Sequence, residues 1–311
     1  MQVKDSRTDH IEKISLENTR VVLNPPIVFL CGGLVDIKEP TCSVRGALLD
    51  HLSKVRCSLL DSITLAESFK DWTHEDIYKD LMVFEDDLAH ISSLIVIILE
   101  SPGALAELGL FARNRFINKK ILIIINDIHY DQDSFIKLGP LRHLEHIKDK
   151  SVSAYSWQED SPAQTIEESL DNIREDILSA LETQDKSEAF DKNNDGHLAL
   201  FIFQIIHTYA ALRITEIETY LKIHWPDIAI QKIKRLLFLL KKFSLVTERK
   251  KGHYLFYCPQ KNRKHIEFAG HFDPNTAKVS AMQFYLGDSE KRRFDVIKQN
   301  TDHLKETGEI K

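Results

Sequence analysis

The sequence predicts an α/β fold with a doubly wound parallel sheet, followed by a smaller α+β domain. Roughly the first two hundred residues alternate strand-like apolar runs with segments of helical apolar spacing, which is typical of that fold class. Two runs, "LIVIIL" at 94–99 and "KILIII" at 120–125, are aliphatic without interruption, as expected for strands covered on both faces. A polar stretch at 182–197 then separates this alternation from a helical and basic C-terminal part.

The α/β part supplies the elements around which a ligand site would form. Strands are expected at 27–33, 59–65, 94–99, 120–125 and 151–157, and helices at 43–55, 74–92, 104–116 and 161–182. In open α/β sheets, ligands bind outside the carboxyl ends of the strands, near the point where the strand order reverses. We therefore expect "CGG" at 31–33 and "ESPGALAE" at 100–107, which both follow strands, to share one pocket.

The C-terminal part has the element order of a winged helix. Helices are expected at 198–212, 214–223 and 228–243, followed by "LVTERK" and "HYLFYCP" as a β-hairpin around a Lys251-Gly252 turn. The resulting division is a domain at 1–183, a linker at 184–197 and a winged-helix domain at 198–311, in which residues 265–311 have no assigned role.

The basic charge of the chain is concentrated in this part. The formal net charge is −6, yet residues 192–270 contain 14 Lys/Arg against 6 Asp/Glu. A basic module on an acidic chain favours contact with nucleic acid phosphates. The expected contacts are cations of the third helix and the hairpin tip: Lys232, Lys234, Arg235, Arg249, Lys250 and Lys251. The alternative is a protein-interaction domain with a solvated basic face.

Cysteine usage and apolar run length indicate the compartment. The four cysteines show no CxxC pairing or ligand spacing, which favours a reducing interior. The first 25 residues lack an apolar signal core, and the longest apolar runs fall far short of the about 18 residues that a membrane span requires. We therefore expect a cytoplasmic protein without membrane contact.

No metal and no cofactor is expected. The "DKNNDG" that begins at Asp191 imitates a calcium loop, but its twelfth position is Ile202 instead of a glutamate. His143 and His146 share a helix face without further ligands, and the chain contains neither HExxH nor GxxxxGK[ST].

Glu107 is the candidate catalytic residue. If its helix begins near Ala104, Glu107 lies in the first turn, where the helix dipole stabilises a carboxylate. An anionic carboxylate suits attack on the anomeric carbon of a sugar, because the transition state is oxocarbenium-like. A departing base usually needs an acid as well. The candidates for that acid are Asp86, Asp87, Glu67 and Glu100. The alternative is that Glu107 is a surface residue that complements the dipole.

The segment "FEDDLAHISSLIVIILESPGALAELGLFARNRFINKKILIII" resembles the core of the nucleoside 2-deoxyribosyltransferases, and the resemblance extends over about residues 25–160. It implies that Glu107 is the nucleophile and that Asp87 binds the base. It also implies that "FLCGG" is the first strand with its glycine turn, and that subunits associate. The residues that would bind substrate are Phe29, Gly32, Gly33, Ser101, Gly103 and Ala104.

Two positions depart from that family. Phe29 stands where the family has a Tyr that contacts the nucleophile, and Ser101, next to Glu100, stands where it has an Asp that assists the departing base. Both changes favour a substrate such as a nucleotide or NAD over base exchange between deoxynucleosides. The nicotinamide of NAD is already cationic and leaves without protonation.

The order of a deoxyribosyltransferase-like domain and a winged helix is similar to that of effector proteins of bacterial retrons. This resemblance implies a toxin in anti-phage defence that assembles, as an oligomer or filament, with a retron reverse transcriptase and its branched RNA–DNA (msDNA). It also implies cleavage of a glycosidic bond, with NAD as the substrate. A non-catalytic nucleotide sensor that binds DNA, and a deoxyribosyltransferase acting on nucleosides or nucleotides, remain the alternatives.

Overall fold

A computed structural model describes residues 5–35, 42–66, 77–78, 80–287 and 291–310. The chain divides into two compact units, each discontinuous in sequence. The sheet unit comprises Pro25–Lys70 and Leu81–Asp185, and the terminal unit comprises Met1–Asn24, Asp71–Asp80 and Lys186–Lys311. The first residues of the chain therefore belong to the same unit as its last residues.

Strands and helices alternate through most of the described chain. The strands are β1 (Ile14–Val22), β2 (Val28–Cys31), β3 (Ile63–Thr64), β4 (Leu94–Ile98), β5 (Ile121–Asn126), β6 (Val152–Tyr155), β7 (Ser187–Ala189), β8 (Val246–Lys251), β9 (Tyr254–Pro259) and β10 (Ile266–Gly270). The helices are α1 (Arg7–Ile11), α2 (Val44–Lys54), α3 (Leu81–Ile91), α4 (Pro102–Phe111), α5 (Asp127–Asp131), α6 (Arg142–Ile147), α7 (Pro162–Thr165), α8 (Leu170–Glu182), α9 (Asp195–Tyr209), α10 (Ile214–His224), α11 (Ile230–Lys242), α12 (Pro274–Tyr285) and α13 (Lys291–Glu306).

The sheet unit is built on a five-stranded parallel sheet in the order β3-β2-β4-β5-β6, which confirms the predicted α/β class with a parallel sheet. The chain runs outward from β2 to β3 and then returns to the other side of β2 with β4. The strand order therefore reverses between β2 and β4, where Cys31 is paired with Ile97. The carboxyl ends of these two strands are the expected place for a ligand.

Both faces of this sheet are covered, which explains the continuous aliphatic runs. Val28, Leu30 and Val96 belong to a buried cluster with side chains of α2 and α8. Phe29, whose side chain points to the opposite face, makes an edge contact with Phe111 of α4 at 6.3 Å between ring centroids.

Several predicted boundaries in the sheet unit are wrong. Helix α4 begins at Pro102 instead of near Ala104, because Ser101 Oγ accepts the Ala104 N–H at 3.2 Å as an N-cap and proline is favoured in the first turn. The long helix expected at 161–182 is interrupted between α7 and α8. A 3₁₀ turn at Glu167–Ser169 separates the two helices.

Other expectations are met only in part. The weak strand at 59–65 is a 3₁₀ turn at Ser58–Ser62 followed by the two-residue β3. The helix expected at 74–92 begins only at Leu81, as α3: residues 77, 78 and 80 are not helical, and residues 74–76 and 79 lie outside the described residues.

The terminal unit contains an antiparallel sheet in the order β10-β1-β7 and the hairpin β8–β9. Strand β7 lies inside the stretch predicted as a linker; it is short and polar and lacks an apolar alternation that would indicate a strand. The hairpin has a two-residue loop at Gly252-His253, where Gly252 has a φ of +62°. The helices α9 to α11 and this hairpin occur in the expected order, and their identification as a winged helix stays a prediction.

A buried ion network joins the ends of the terminal unit. Both terminal guanidinium nitrogens of Arg293, on α13, donate to the carboxylate of Glu216 on α10 at 2.8 Å. Arg7 of α1 pairs with the same carboxylate at 2.8 Å. Burial raises the pKa of Glu216, but Arg293 and then Arg7 outweigh burial and hold it at about 2. Because Arg7 and Arg293 are 3% and 0% exposed, this carboxylate anchors α1 and α13 to α10.

Candidate active site

Glu107 lies in the second turn of α4, half-buried, next to the side of the helix that faces the sheet. Ala104, Leu108 and Phe111 form that buried side. The prediction that Glu107 lies in the first turn is wrong, because α4 begins at Pro102, two residues before the predicted start. The helix dipole acts mainly within the first turn, so it is not the main influence on this carboxylate.

Glu107 lies close to the thiol of Cys31, the last residue of β2, and its charge acts on that thiol. Cys31 is 1% exposed. Burial first, and then the negative charges of Glu107 and Glu85, raise the pKa of Cys31 well above its usual range, while Arg45 opposes them. The thiol therefore stays protonated beside Glu107, at the carboxyl end of the strand where the sheet order reverses.

Arg45 brings a buried cation to the same place. It lies in the first turn of α2, is 3% exposed, and donates from Nη1 to the carbonyl of Leu30 at 3.3 Å. A Cβ at Gly32 would lie 3.0 Å from Cβ and 3.2 Å from Cδ of Arg45. Gly32, which the sequence predicts as a substrate contact, therefore gives this arginine space beside Cys31.

Glu100 holds the glycine turn and the start of α2 together. Its carboxylate accepts N–H groups from Gly33 at 2.8 Å, Val44 at 2.6 Å and Arg45 at 2.9 Å. A carboxylate is favourable at a helix N-terminus because it satisfies unpaired N–H groups and complements the dipole. With three backbone N–H groups on its carboxylate, Glu100 has a position that suits anchoring better than the proton donation predicted for it.

A cavity of about 650 Å³ opens at the carboxyl ends of β2, β4, β5 and β6. Its lining includes Gly33, Ser43, Glu100, Ser101, Pro102, Leu105, Ile125, His129, Trp157, Glu159 and Asp160. It thus collects three of the predicted site residues, namely Gly33, Glu100 and Ser101. Glu107 is not among its described lining residues, because it projects from another side of α4 than Pro102 and Leu105.

The other predicted substrate contacts have mainly local roles in the structure. Ser101 Oγ donates to the carbonyl of Gly32 at 3.2 Å and caps α4. Gly103 is exposed in the first turn of α4, whereas Ala104 is buried. Phe29 is fully buried against Phe111 and does not reach solvent.

The candidate acids on α3 lie in different environments. Asp87 is 4% exposed on the buried face of the helix, with Phe84 and Leu88. Asp86 is half-exposed and accepts a hydrogen bond from Asn114 Nδ2 at 3.3 Å. Glu67 lies outside the described residues. Sequence reasoning missed Cys31, Arg45 and Glu85, although the short segments "FLCGG" and "SVRG" flank the predicted pocket.

The predicted nucleic-acid contacts separate into exposed and engaged cations. Lys234 and Lys250 are exposed. Lys232 pairs with Asp195 at 2.5 Å, and Lys251 pairs with Asp295 at 3.3 Å. The remaining two, Arg235 and Arg249, are half-buried, and the Arg235 guanidinium lies 5.9 Å from the ring centroid of Tyr78.

Comparison with known proteins decides the family. The pattern of the STM3845 retron effector proteins matches residues 41–248, which is more than half of the chain. The chain belongs to this family. As a retron effector it is associated with a retron system.

Two relatives from Escherichia coli agree with this assignment. One, named "Retron Ec73 putative ribosyltransferase/DNA-binding protein", is 26% identical over 281 residues, which cover 85% of this chain and 86% of the relative. The other, named "Retron Ec86 putative ribosyltransferase/DNA-binding protein", is 33% identical over 132 residues, which cover 42% of this chain and 41% of the relative. The names of both relatives point to glycosyl-transfer chemistry.

Two general properties of this effector are visible in the described residues. None of its described helices is long and apolar enough to cross a bilayer. Across the same residues, His, Cys, Asp and Glu side chains form no group of three or more that could hold a metal ion.

Proposed function

We propose that this retron effector is an N-glycosidase that cleaves the glycosidic bond of a nucleotide-type substrate, with NAD as the preferred one. The observation that carries the proposal is the position of Glu107, half-buried on α4, the helix that follows β4 at the carboxyl edge of the sheet where the strand order reverses. The names of the two relatives support glycosyl-transfer chemistry.

The proposed reaction has two steps. A carboxylate oxygen of Glu107 attacks C1′ of the ribose, the C1′–N bond breaks, and its electron pair neutralises the pyridinium nitrogen of the departing nicotinamide. Water then attacks C1′, the ester bond to Glu107 breaks, and the proton of the water passes to solvent. The products are nicotinamide and ADP-ribose.

The position of Glu100 supports a leaving group that departs without protonation. The carboxylate of Glu100 is occupied by three backbone N–H groups, and a cationic nicotinamide requires no proton donor. Asp87, on the buried face of α3, is the residue that we propose for contact with the base.

The terminal unit is proposed to bind nucleic acid, in keeping with the DNA-binding part of the relatives' names. The contacts are assigned first to the exposed Lys234 and Lys250, because their charges are not neutralised by the ion pairs that engage Lys232 and Lys251. The proposed ligand is the branched RNA–DNA of the retron, and the proposed assembly includes the reverse transcriptase and further copies of the effector.

The test is release of base from NAD, nucleotides and deoxynucleosides, followed by chromatography. Wild type and Glu107→Gln are compared, alone and co-expressed with the reverse transcriptase and msDNA. We expect nicotinamide from wild type and a loss of at least about a thousandfold in the variant, as for removal of a covalent nucleophile.

A matched control is Glu168→Gln, which removes the same charge at an exposed position of the sheet unit and should retain full activity. If Glu107→Gln kept its turnover, Glu107 would not be the nucleophile. If no base were released while nucleotide still bound, a nucleotide sensor would replace the glycosidase.

A further inference from the structure

We infer that the tip of the β8–β9 hairpin and the start of α13 form a stacking site for an unpaired base, in which Tyr254 receives the base and Arg292 binds the adjacent phosphate. The ligand class is single-stranded nucleic acid. This inference rests on the proposed binding of nucleic acid by the terminal unit, and it names the kind of strand that the unit takes. It also gives a function to α13, which lies in the segment without a role in the sequence-based division.

Tyr254 offers an exposed aromatic ring at the tip of the hairpin. It begins β9 and is 43% exposed, whereas Phe256, two residues further along the strand, is 1% exposed. The guanidinium of Arg213 lies over the Tyr254 ring, 5.3 Å from its centroid. A guanidinium on one face of the ring leaves the other face for a base, and such stacking tolerates any sequence because every base has a π-face.

The ring is tied to the buried ion network of the terminal unit. The backbone N–H of Arg213 donates to Oε2 of Glu216 at 2.8 Å, and the Nε of Arg213 donates to the same oxygen at 3.4 Å. Glu216 is in turn fixed by Arg7 and Arg293. Since the partner of the Tyr254 ring is held in place before a strand arrives, less side-chain freedom is lost on binding.

Arg292 brings a cation to the same face of the hairpin. Tyr254 is paired with Lys251 across the hairpin, so these two side chains point to one face. Helix α13 lies along this face, because its Asp295 pairs with Lys251 at 3.3 Å. A Cβ at Gly252 would lie 3.2 Å from Nη1 of Arg292, which places this guanidinium against the turn, two residues from Tyr254.

The charge of Arg292 is not compensated by an ion pair. Arg292 is exposed, and no carboxylate of the described residues pairs with it, whereas Lys251 is engaged by Asp295. A free cation beside an exposed ring is complementary to one phosphate and one base of a single strand. In a duplex the bases stack on one another and offer Tyr254 no open face, so a single strand is favoured.

The first experiment is a binding titration of the full-length protein with a labelled oligothymidylate of about fifteen nucleotides and with a DNA duplex of equal length. We expect tighter binding of the single strand. Tyr254→Leu removes the ring but keeps an apolar side chain, and it should weaken binding of the single strand about tenfold, by a similar factor at every salt concentration. Tyr254→Phe keeps the ring and should stay within about twofold of wild type.

Arg292→Gln should change the salt dependence instead, lowering the slope by about one phosphate contact. Its matched control is Lys298→Gln, which removes the same charge from an exposed position further along α13. The control for loss of an exposed ring is Phe135→Ala, because Phe135 is 86% exposed and lies in the sheet unit. Both control variants should bind the single strand as wild type does.

The second experiment needs no variant. Wild type is irradiated with a strand that contains 5-iodouracil, which cross-links to a stacked aromatic side chain, and the adduct is located by mass spectrometry. We expect an adduct on the peptide that contains Tyr254. Adducts confined to other peptides would overturn the inference, even if Tyr254→Leu did not fold.

The outcomes separate the stacking site from the proposed binding of nucleic acid. A Tyr254→Leu variant that bound the single strand as tightly as wild type would overturn the stacking site, and so would a preference of wild type for the duplex. In both cases a loss of affinity in Lys234→Gln would still support binding of nucleic acid by the terminal unit. If wild type bound neither the strand nor the duplex, the proposed binding would fail as well.

Discussion

Glu216 of the terminal unit and Glu107 of the sheet unit are both partly removed from solvent, but they have opposite surroundings. Glu216 is held by Arg7 and Arg293, so its charge is compensated within the fold. Glu107 lies close to the neutral thiol of Cys31, in a neighbourhood that also contains the carboxylate of Glu85, and both carboxylates raise the pKa of that thiol. A carboxylate between two guanidinium groups anchors a structure, whereas one beside a neutral thiol and a second carboxylate keeps the charge that nucleophilic attack requires.

The largest effect expected in the terminal unit comes from breaking its ion network. Glu216→Ala leaves two buried guanidinium groups without their shared carboxylate, and removing one partner of a buried ion pair costs about 3–5 kcal/mol. We expect this loss in the free energy of unfolding, measured by hydrogen exchange in α10 and α13.

The control is Glu175→Ala, because Glu175 is 71% exposed where it pairs with Arg174. Such exposed pairs contribute about 1 kcal/mol or less. Equal effects of the two substitutions would contradict the anchoring role of Glu216, and with it the contrast to Glu107.

A somewhat smaller effect is expected from acid. Because the pKa of Glu216 is lowered from 4.5 to about 2 on folding, its contribution to stability is complete above pH 4.5 and is lost as the pH falls through about 2. The shift corresponds to about 3 kcal/mol. Urea unfolding at a series of pH values should show this loss in wild type and a flatter dependence in Glu216→Gln. If wild type and Glu216→Gln lost stability in parallel as the pH fell, a group other than Glu216 would be responsible for the acid sensitivity.

The same contrast explains how much of the molecule the sequence could predict. The parallel sheet follows from runs such as 94–99, because continuous aliphatic residues at strand length specify burial on both faces. The three helices and the hairpin of the terminal unit also follow from local spacing. Strand β7 could not be found in this way, since a polar three-residue strand is specified by its pairing with β1 and not by its own composition.

Contacts at the candidate site depend on residues far apart in sequence. A cysteine that ends an apolar strand is most simply a core residue, and only the packing of α4 reveals that Cys31 faces Glu107. The role of Glu100 likewise depends on the backbone of Gly33, Val44 and Arg45, which no local pattern in the sequence joins to it. The start of α4, by contrast, was predictable from the Ser-Pro pair at Ser101.

The smallest expected effects concern the lysines of the terminal unit. Lys234→Gln should weaken binding to single-stranded DNA and lower the salt dependence of the binding constant by about one phosphate contact. Lys232→Gln should change the affinity and its salt dependence much less, because Lys232 is already paired with Asp195. Binding titrations at several salt concentrations measure this difference. An equal loss in both variants would show that the ion pair opens on binding.

The most direct test of the central claim is to trap the covalent intermediate on Glu107. The effector, co-expressed with its proposed partners, the reverse transcriptase and msDNA, is incubated with 2′-fluoro NAD. The electron-withdrawing fluorine slows hydrolysis of a glycosyl ester, and the protein is then digested and analysed by mass spectrometry. We expect one fluoro-ADP-ribosyl group on the peptide that contains Glu107, and its absence in Glu107→Gln. Release of nicotinamide without an adduct, or an adduct that persists in Glu107→Gln, would contradict it.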